Sequence, residues 1–72
     1  MMVDMQSRLV KLVEMMDRAK SSALTNEDKT NVVEWSAEYR IKFKITSCAN
    51  CWIDQITLLT IHTRKLIRRE SK

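Results

Sequence analysis

The sequence predicts an all-α fold, a small three-helix bundle in which residues 1–72 form a single domain with a long basic C-terminal helix. The first observation is that none of the 72 residues is glycine or proline. Tight hairpin turns usually contain glycine, whereas helix interiors are weakened by both residues. The second is an apolar content of 44%, which is ordinary for a globular domain and therefore predicts a folded chain rather than a disordered one. The third is that apolar side chains recur at helical spacing.

The first helix is predicted near residues 2–20. Its apolar stripe follows steps of three and four and is widened by two valines: Met2, Met5, Leu9, Leu12, Met16 and Ala19, with Val10 and Val13. The charged residues Asp4, Arg8, Lys11 and Arg18 are expected on the opposite, solvated face. We interpret the stripe as core, with a pliable methionine-rich binding surface as the alternative.

The same charges interrupt the first residues, so the segment fits neither a signal peptide nor a membrane span. We therefore expect an intracellular protein that does not bind a membrane. A reducing compartment also argues against a structural disulfide between the two cysteines.

The second helix is predicted near residues 26–42. Thr25 can cap it, with Asp28 completing a capping box, and Val32, Trp35, Tyr39 and Phe43 form its stripe. Residues 39–46 nevertheless alternate apolar and polar side chains, which is the period of a half-buried strand. We favour a helix to about residue 42 followed by an extended exit. The alternative is a strand that pairs with another molecule, because no other segment alternates.

The third helix is predicted near residues 47–69, capped by Thr46 or Ser47. Its broad apolar arc contains Cys48, Cys51, Trp52, Ile56, Leu59, His62 and Leu66. Ile61 is apolar on the polar side, which hints at a second contact surface. The predicted core of the whole bundle is Leu9, Leu12, Met16, Val32, Trp35, Tyr39, Cys48, Trp52, Ile56, Leu59 and Leu66.

The stretch "SCANC" leaves three interpretations open. A structural zinc site needs four ligands, and His62 lies about 16 Å of helix rise beyond Cys51. A metal would therefore need Cys48 and Cys51 from each of two copies. A redox pair gains from the helix N-terminus but lacks the usual βαβ setting. We favour core packing, because free cysteine behaves as a small hydrophobe.

Catalytic motifs are missing from the sequence. A P-loop or a dinucleotide fingerprint requires glycine. His62 has no serine, cysteine or carboxylate three or four positions away that would form a catalytic dyad. We therefore predict a protein that is not an enzyme and that uses no cofactor.

Charge divides the chain: residues 1–39 carry a net −2 and residues 40–72 a net +6. Two binding hypotheses follow. A protein partner, either another copy or a larger assembly, would contact surplus apolar residues: Met2, Met5, Val13, Ile41, Phe43 and Ile61. Alternatively, a nucleic acid would contact the basic end: Arg64, Lys65, Arg68, Arg69 and Lys72. We favour the protein partner and an oligomer.

The pattern "LTNED…W…Y" followed by "ITSCANCW" and a basic helix resembles small uncharacterised proteins encoded by tailed bacteriophages. The resemblance covers residues 24–60. The resemblance implies a viral origin and a partner-binding role, either as a minor virion component or as an inhibitor of a host system. It also implies a location in the host cytoplasm or in a virion.

Overall fold

The computed structural model describes residues 4–70 and contains three helices: α1 at Met5–Lys20, α2 at Asn26–Glu38 and α3 at Ala49–Glu70. The predicted all-α, three-helix class is therefore confirmed. The helices form an elongated body of 39 × 22 × 21 Å. Residues 41–48, the crossover segment, connect α2 to α3 without forming a helix or a strand.

The contacts between helices define their directions. Arg18 near the end of α1 pairs with Asp28 at the start of α2, and Arg8 near the start of α1 pairs with Glu38 at the end of α2. α1 and α2 are therefore antiparallel. Tyr39, which ends α2, contacts Thr63 far along α3, so α2 and α3 run parallel. A parallel pair requires the chain to return along the bundle, and the extended crossover segment makes this return.

The start of α2 is as predicted. Thr25 precedes the helix, and its hydroxyl accepts a hydrogen bond from the Asp28 backbone N–H at 3.0 Å. The Asp28 carboxylate accepts one from the Thr25 N–H at 3.1 Å. This reciprocal pair is the capping box, which satisfies two N–H groups that a helix start leaves free.

The end of α2 lies four residues before the predicted position, because Arg40 adopts a left-handed conformation with φ 60°. The Arg40 N–H then bonds to the Ala37 carbonyl, and the Ile41 N–H bonds to the Ser36 carbonyl at 2.8 Å. This is the Schellman arrangement, which closes a helix and turns the chain away. Ser22, with φ 56°, ends α1 in the same way.

Within residues 4–69, seven apolar residues form the buried core: Leu12, Met15, Ala19, Val32, Trp52, Ile56 and Leu59. Five of them were predicted, and Ala19 belonged to the predicted stripe of α1. Five other predicted core residues are only half-buried: Leu9, Met16, Trp35, Tyr39 and Leu66. The prediction for Cys48 is wrong, because this side chain precedes α3 and is exposed.

Arg8 was predicted on the solvated face, and this is also wrong: it is 7% exposed. It lies on the same face as Leu12, Met15 and Ala19, so the buried side of α1 is rotated relative to the predicted stripe. Other polar groups are buried between α2 and α3. There, Gln55 donates a hydrogen bond to the Ser36 hydroxyl at 2.8 Å.

The crossover segment explains the alternation seen in the sequence. Ile41 and Phe43 point inward and pack against the core, while Lys42 and Lys44 are exposed. Phe43 lies edge-on to the Trp52 ring, with 4.9 Å between ring centroids. The Trp52 indole N–H donates to the Thr46 carbonyl at 2.7 Å. The period of two is therefore that of an extended chain lying on the bundle.

Candidate interaction surfaces

The side of α3 that faces away from the bundle carries a second regular stripe. Six exposed residues follow one another at steps of three and four positions: Cys51, Asp54, Leu58, Ile61, Lys65 and Arg68. We call this set the α3 outer stripe. At its centre, Leu58 is 48% and Ile61 is 47% exposed. Such spacing places the six side chains along one face of the helix.

The outward side of α1 has a similar arrangement, the α1 outer stripe, made of Gln6, Val10, Val13 and Asp17. Val10 is 59% and Val13 is 48% exposed. The two stripes therefore share their spacing and a central pair of apolar residues. They differ in the flanking residues: Gln6 and Asp17 on α1 occupy the positions that Asp54 and Lys65 occupy on α3.

A groove of ≈ 510 Å³ adjoins the α3 outer stripe at its N-terminal end. The crossover segment from Lys42 to Thr46 forms one wall of the groove. The other wall is formed by Cys51, Asp54 and Gln55. Ile45 is 74% exposed, the highest value among the exposed large apolar side chains. The exposed apolar surface of α3 is thus continued by the crossover segment.

The residues predicted to contact a protein partner lie in different environments. Val13 and Ile61 are exposed, one on each outer stripe. Ile41 and Phe43 pack against the core, which leaves only part of each side chain accessible. Met5 is half-buried, and its sulfur accepts a hydrogen bond from the Tyr39 hydroxyl at 3.7 Å. Met2 lies outside the described residues.

Sequence reasoning missed Leu58 and Ile45 as exposed apolar residues. Ile45 belongs to the alternating segment, in which only Ile41 and Phe43 were named as partner residues; these two pack against the core, whereas Ile45 is exposed. Leu58 could have been found, because it is three residues from Ile61 on the side of the helix opposite Trp52 and Ile56.

Both cysteines are exposed, so the favoured interpretation of core packing is wrong. The sulfur of Cys48 accepts a hydrogen bond from the Cys51 backbone N–H at 3.4 Å. Cys48, rather than Thr46 or Ser47, therefore occupies the capping position of α3. Thr46 supports it by accepting from the Cys48 N–H at 3.1 Å.

The two thiols are inequivalent. The hydrogen bond from the Cys51 thiol, aided by the backbone N–H groups at the helix start, lowers the pKa of Cys48. The same thiol–thiol bond, together with partial desolvation and the nearby charges of Cys48 and Asp54, raises the pKa of Cys51. Cys48 is therefore the more readily ionised of the two thiols. In the described part of the chain, no three metal-ligating side chains come together.

Two ion-pair clusters join α1 to α2. In the first, the Arg8 clamp, the guanidinium bonds to Glu38, donates to the Tyr39 hydroxyl at 3.2 Å and lies 4.8 Å from the Trp35 ring centroid. Burial opposes the charge of Arg8, but the hydrogen bonds to Glu38 and Tyr39 outweigh it, so its pKa is raised. Tyr39 in turn bonds to Thr63 and packs on the His62 ring.

The second cluster, the Asp28 clamp, lies at the other end of the bundle. Arg18 donates to the two carboxylate oxygens of Asp28 at 2.6 and 2.8 Å, and the Thr25 N–H donates to the same carboxylate. The hydrogen bonds from Arg18 lower the pKa of Asp28 despite its burial. Both clusters hold helices together, and Arg18 and Asp28 of the second cluster also line a cavity of ≈ 350 Å³.

The predicted nucleic-acid residues lie at the C-terminal end of α3. Arg64, Lys65, Arg68 and Arg69 are all exposed, and Lys72 lies outside the described residues. Lys65 and Arg68 belong to the α3 outer stripe, so the structure combines part of this cluster with the apolar pair Leu58 and Ile61. None of the helices within residues 4–70 has the length and apolar character that a membrane crossing requires.

Comparison of the chain with protein-family models, with curated proteins and with solved structures gives no match in any of the three.

Proposed function

We propose that this chain is a non-catalytic protein-interaction or assembly subunit, whose partner is another copy of itself or a larger assembly. The observation that carries the proposal is a set of five large apolar side chains that are 47–74% exposed: Val10, Val13, Ile45, Leu58 and Ile61.

The arrangement of these residues supports the proposal more than their number does. Single exposed apolar residues are ordinary on a protein surface. Here Val10 is three residues from Val13 and Leu58 three residues from Ile61, so each pair forms one patch on its helix. A paired apolar patch on the outer face of a small bundle is typical of a surface that is covered by a partner.

Association is also favoured by the size of the chain. A domain this small buries only about 60% of the surface that its unfolded chain exposes, so its own core contributes limited stability. Covering the exposed patches would contribute roughly 25 cal/mol for each Å² of apolar surface removed from water. The resemblance to small phage proteins supports a virion component or an inhibitor of a host system as the biological form of this role.

Sedimentation equilibrium of the purified chain, from low micromolar to millimolar concentration, tests the proposal. We expect the mean mass to rise above that of one 8.5 kDa chain as concentration increases. Native mass spectrometry of the same samples would give the stoichiometry. A folded chain that stays monomeric over the whole range and forms no complex with any protein would contradict the proposal.

A second candidate function is nucleic-acid binding. It is favoured by the four exposed cations within six residues of α3, at Arg64, Lys65, Arg68 and Arg69. Contacts of this kind are made mainly to phosphates and weaken steeply with salt. A gel-shift titration on duplex and single strands at two salt concentrations tests it. A complex that weakens with salt and is lost in Arg68→Glu/Arg69→Glu would support it, and no complex at micromolar protein would exclude it.

A further inference from the structure

We infer that the partner of the α3 outer stripe is the same stripe of a second copy, packed antiparallel about a two-fold axis between Leu58 and Ile61. The inference rests on the proposed function and adds to it the surface, the partner and the orientation. It is carried by the order of side chains along one helix face.

The order of side chains along the α3 outer stripe is complementary to the same order read in the opposite direction on a second copy. When two copies run antiparallel with Leu58 opposite the partner's Ile61, each copy's Asp54 lies opposite the partner's Lys65. The next layer places Cys51 opposite the partner's Arg68. The apolar pairs are therefore central, and opposite charges flank them on both sides. Because the same patch serves both copies, the contact closes as a dimer.

A parallel arrangement would be unfavourable. It would place Asp54 opposite the partner's Asp54 and Lys65 opposite the partner's Lys65. It would also bring together the basic ends of both helices, which carry four exposed cations each. Antiparallel packing separates these ends and sets each helix start beside the partner's helix end, where the two dipoles attract.

The α1 outer stripe lacks this complementarity. It has the same spacing and an apolar pair of similar exposure, Val10 and Val13. Antiparallel pairing of two α1 stripes would place Gln6 opposite the partner's Asp17, which gives no pair of opposite charges. The α1 stripe is therefore the matched control for every test of the α3 stripe.

The expected interface is modest. It extends over about 26 Å from Cys51 to Arg68, and one helix face on each side places it at the small end of specific interfaces. Lys42 and Lys44 border the adjoining groove, and their charges oppose the partner's Arg68. Salt screens this repulsion together with the attraction between Asp54 and Lys65, so exchanged charges are a more direct test than a salt titration.

The first experiment exchanges the flanking charges. Asp54→Lys and Lys65→Asp should each weaken the dimer roughly tenfold or more, because each turns two attractive contacts per dimer into repulsive ones. The double variant Asp54→Lys/Lys65→Asp should restore the wild-type dissociation constant. An equimolar mixture of the two single variants should form a heterodimer, which native mass spectrometry resolves. Single variants that dimerise like wild type would overturn the inference, since parallel packing predicts that result.

The second experiment compares the two apolar pairs. Leu58→Asp should reduce dimerisation at least a hundredfold, and Val13→Asp, at the same 48% exposure, should leave it unchanged. Circular dichroism confirms that both variants fold. If Val13→Asp abolishes association and Leu58→Asp does not, the inference fails but the proposed function stands. If the wild-type chain never associates with any protein, both fail.

The third experiment captures the orientation by a disulfide. In a Cys48→Ser background, Arg68→Cys places a thiol opposite the partner's Cys51, and oxidised glutathione should convert the dimer into a covalent one. Lys11→Cys, on an exposed site of α1, should give no such product. Antiparallel packing keeps the two Cys51 residues about 26 Å apart, so a dimer that forms only with zinc, and dissociates on chelation, would also overturn the inference.

Discussion

The two clamps that join α1 to α2 differ in which partner is buried. In the Arg8 clamp the cation is 7% exposed and Glu38 is 47% exposed. In the Asp28 clamp the carboxylate is 7% and Arg18 is 39% exposed. A buried carboxyl can lose its charge by binding a proton, whereas a guanidinium stays charged. The Asp28 end of the bundle can therefore adapt to a lost partner, whereas the Arg8 end cannot.

Loss of the exposed partner should therefore be most costly in the Arg8 clamp. Glu38→Gln leaves the buried guanidinium with Tyr39 and Trp35 but without a counter-charge. We expect a loss of about 3 kcal/mol in the free energy of unfolding, measured by urea denaturation followed by circular dichroism. Glu34→Gln, an exposed site on the same helix, should change it by less than about 0.5 kcal/mol. Equal effects would contradict the assigned role of Glu38.

Removing a partner from the Asp28 clamp should lower the free energy of unfolding less, even when the buried partner is the one removed. Asp28→Ala eliminates one half of the capping box and the two bonds from Arg18, and we expect a loss of about 2 kcal/mol. The released Arg18 is partly exposed and becomes hydrated, which limits the cost. Glu27→Ala, which removes a carboxylate from the same helical turn, is the control and should cost clearly less.

Acid should release the Asp28 clamp. The folded-state pKa of Asp28 lies below its ordinary value of 3.8, so its contribution is complete above the pKa of the unfolded state. It is lost as the pH falls through the lowered folded-state value. The stability difference between wild type and Asp28→Asn should be constant from pH 7 to pH 5 and shrink below about pH 4. A difference that grows on acidification would contradict the assignment.

The smallest effect concerns the left-handed residues beside the two clamps. Ser22 lies just after α1, near the Asp28 clamp, and Arg40 lies just after α2, near the Arg8 clamp. Both residues have a positive φ that glycine adopts without strain. Ser22→Gly and Arg40→Gly should each stabilise the chain by about 0.5–1 kcal/mol. Ser21→Gly, at φ −93°, is the matched control and should give no gain.

Features that depend on residues close together in the sequence were predicted, and features that depend on residues far apart were not. The capping box of Thr25 and Asp28 lies within four residues and was predicted. In the apolar arc predicted for α3, Trp52, Ile56 and Leu59 are buried, whereas Cys48 and Cys51 are exposed. The burial of Arg8 depends on Glu38 and Tyr39, about thirty residues away, and no local pattern contains that pairing. The buried side of α1 was therefore misplaced: Arg8 and Met15 were left out of the predicted stripe, and half-buried Leu9 and Met16 were included.

The errors at the cysteines and at residues 39–46 arose because a short sequence pattern was compatible with more than one local structure. Cys48 precedes the first turn of α3, so a helical wheel does not describe its direction. The alternating segment fits a strand as well as a chain lying on a bundle. The two structures are distinguished by the parallel directions of α2 and α3, which require residues 41–48 to run back along the bundle. Of the apolar pair in the α3 outer stripe, only Ile61 was singled out from the sequence, because Leu58 was not placed relative to the buried side of the helix.

The separate surroundings of Trp35 and Trp52 give the protein a built-in optical probe. Trp35 lies under the guanidinium at one end of the bundle, while Trp52 is shielded by Phe43 and tied to the crossover segment. A chain with Trp35→Phe retains one indole fluorophore. Its emission should shift to longer wavelength when the crossover segment detaches, which makes a local opening observable before the helices melt.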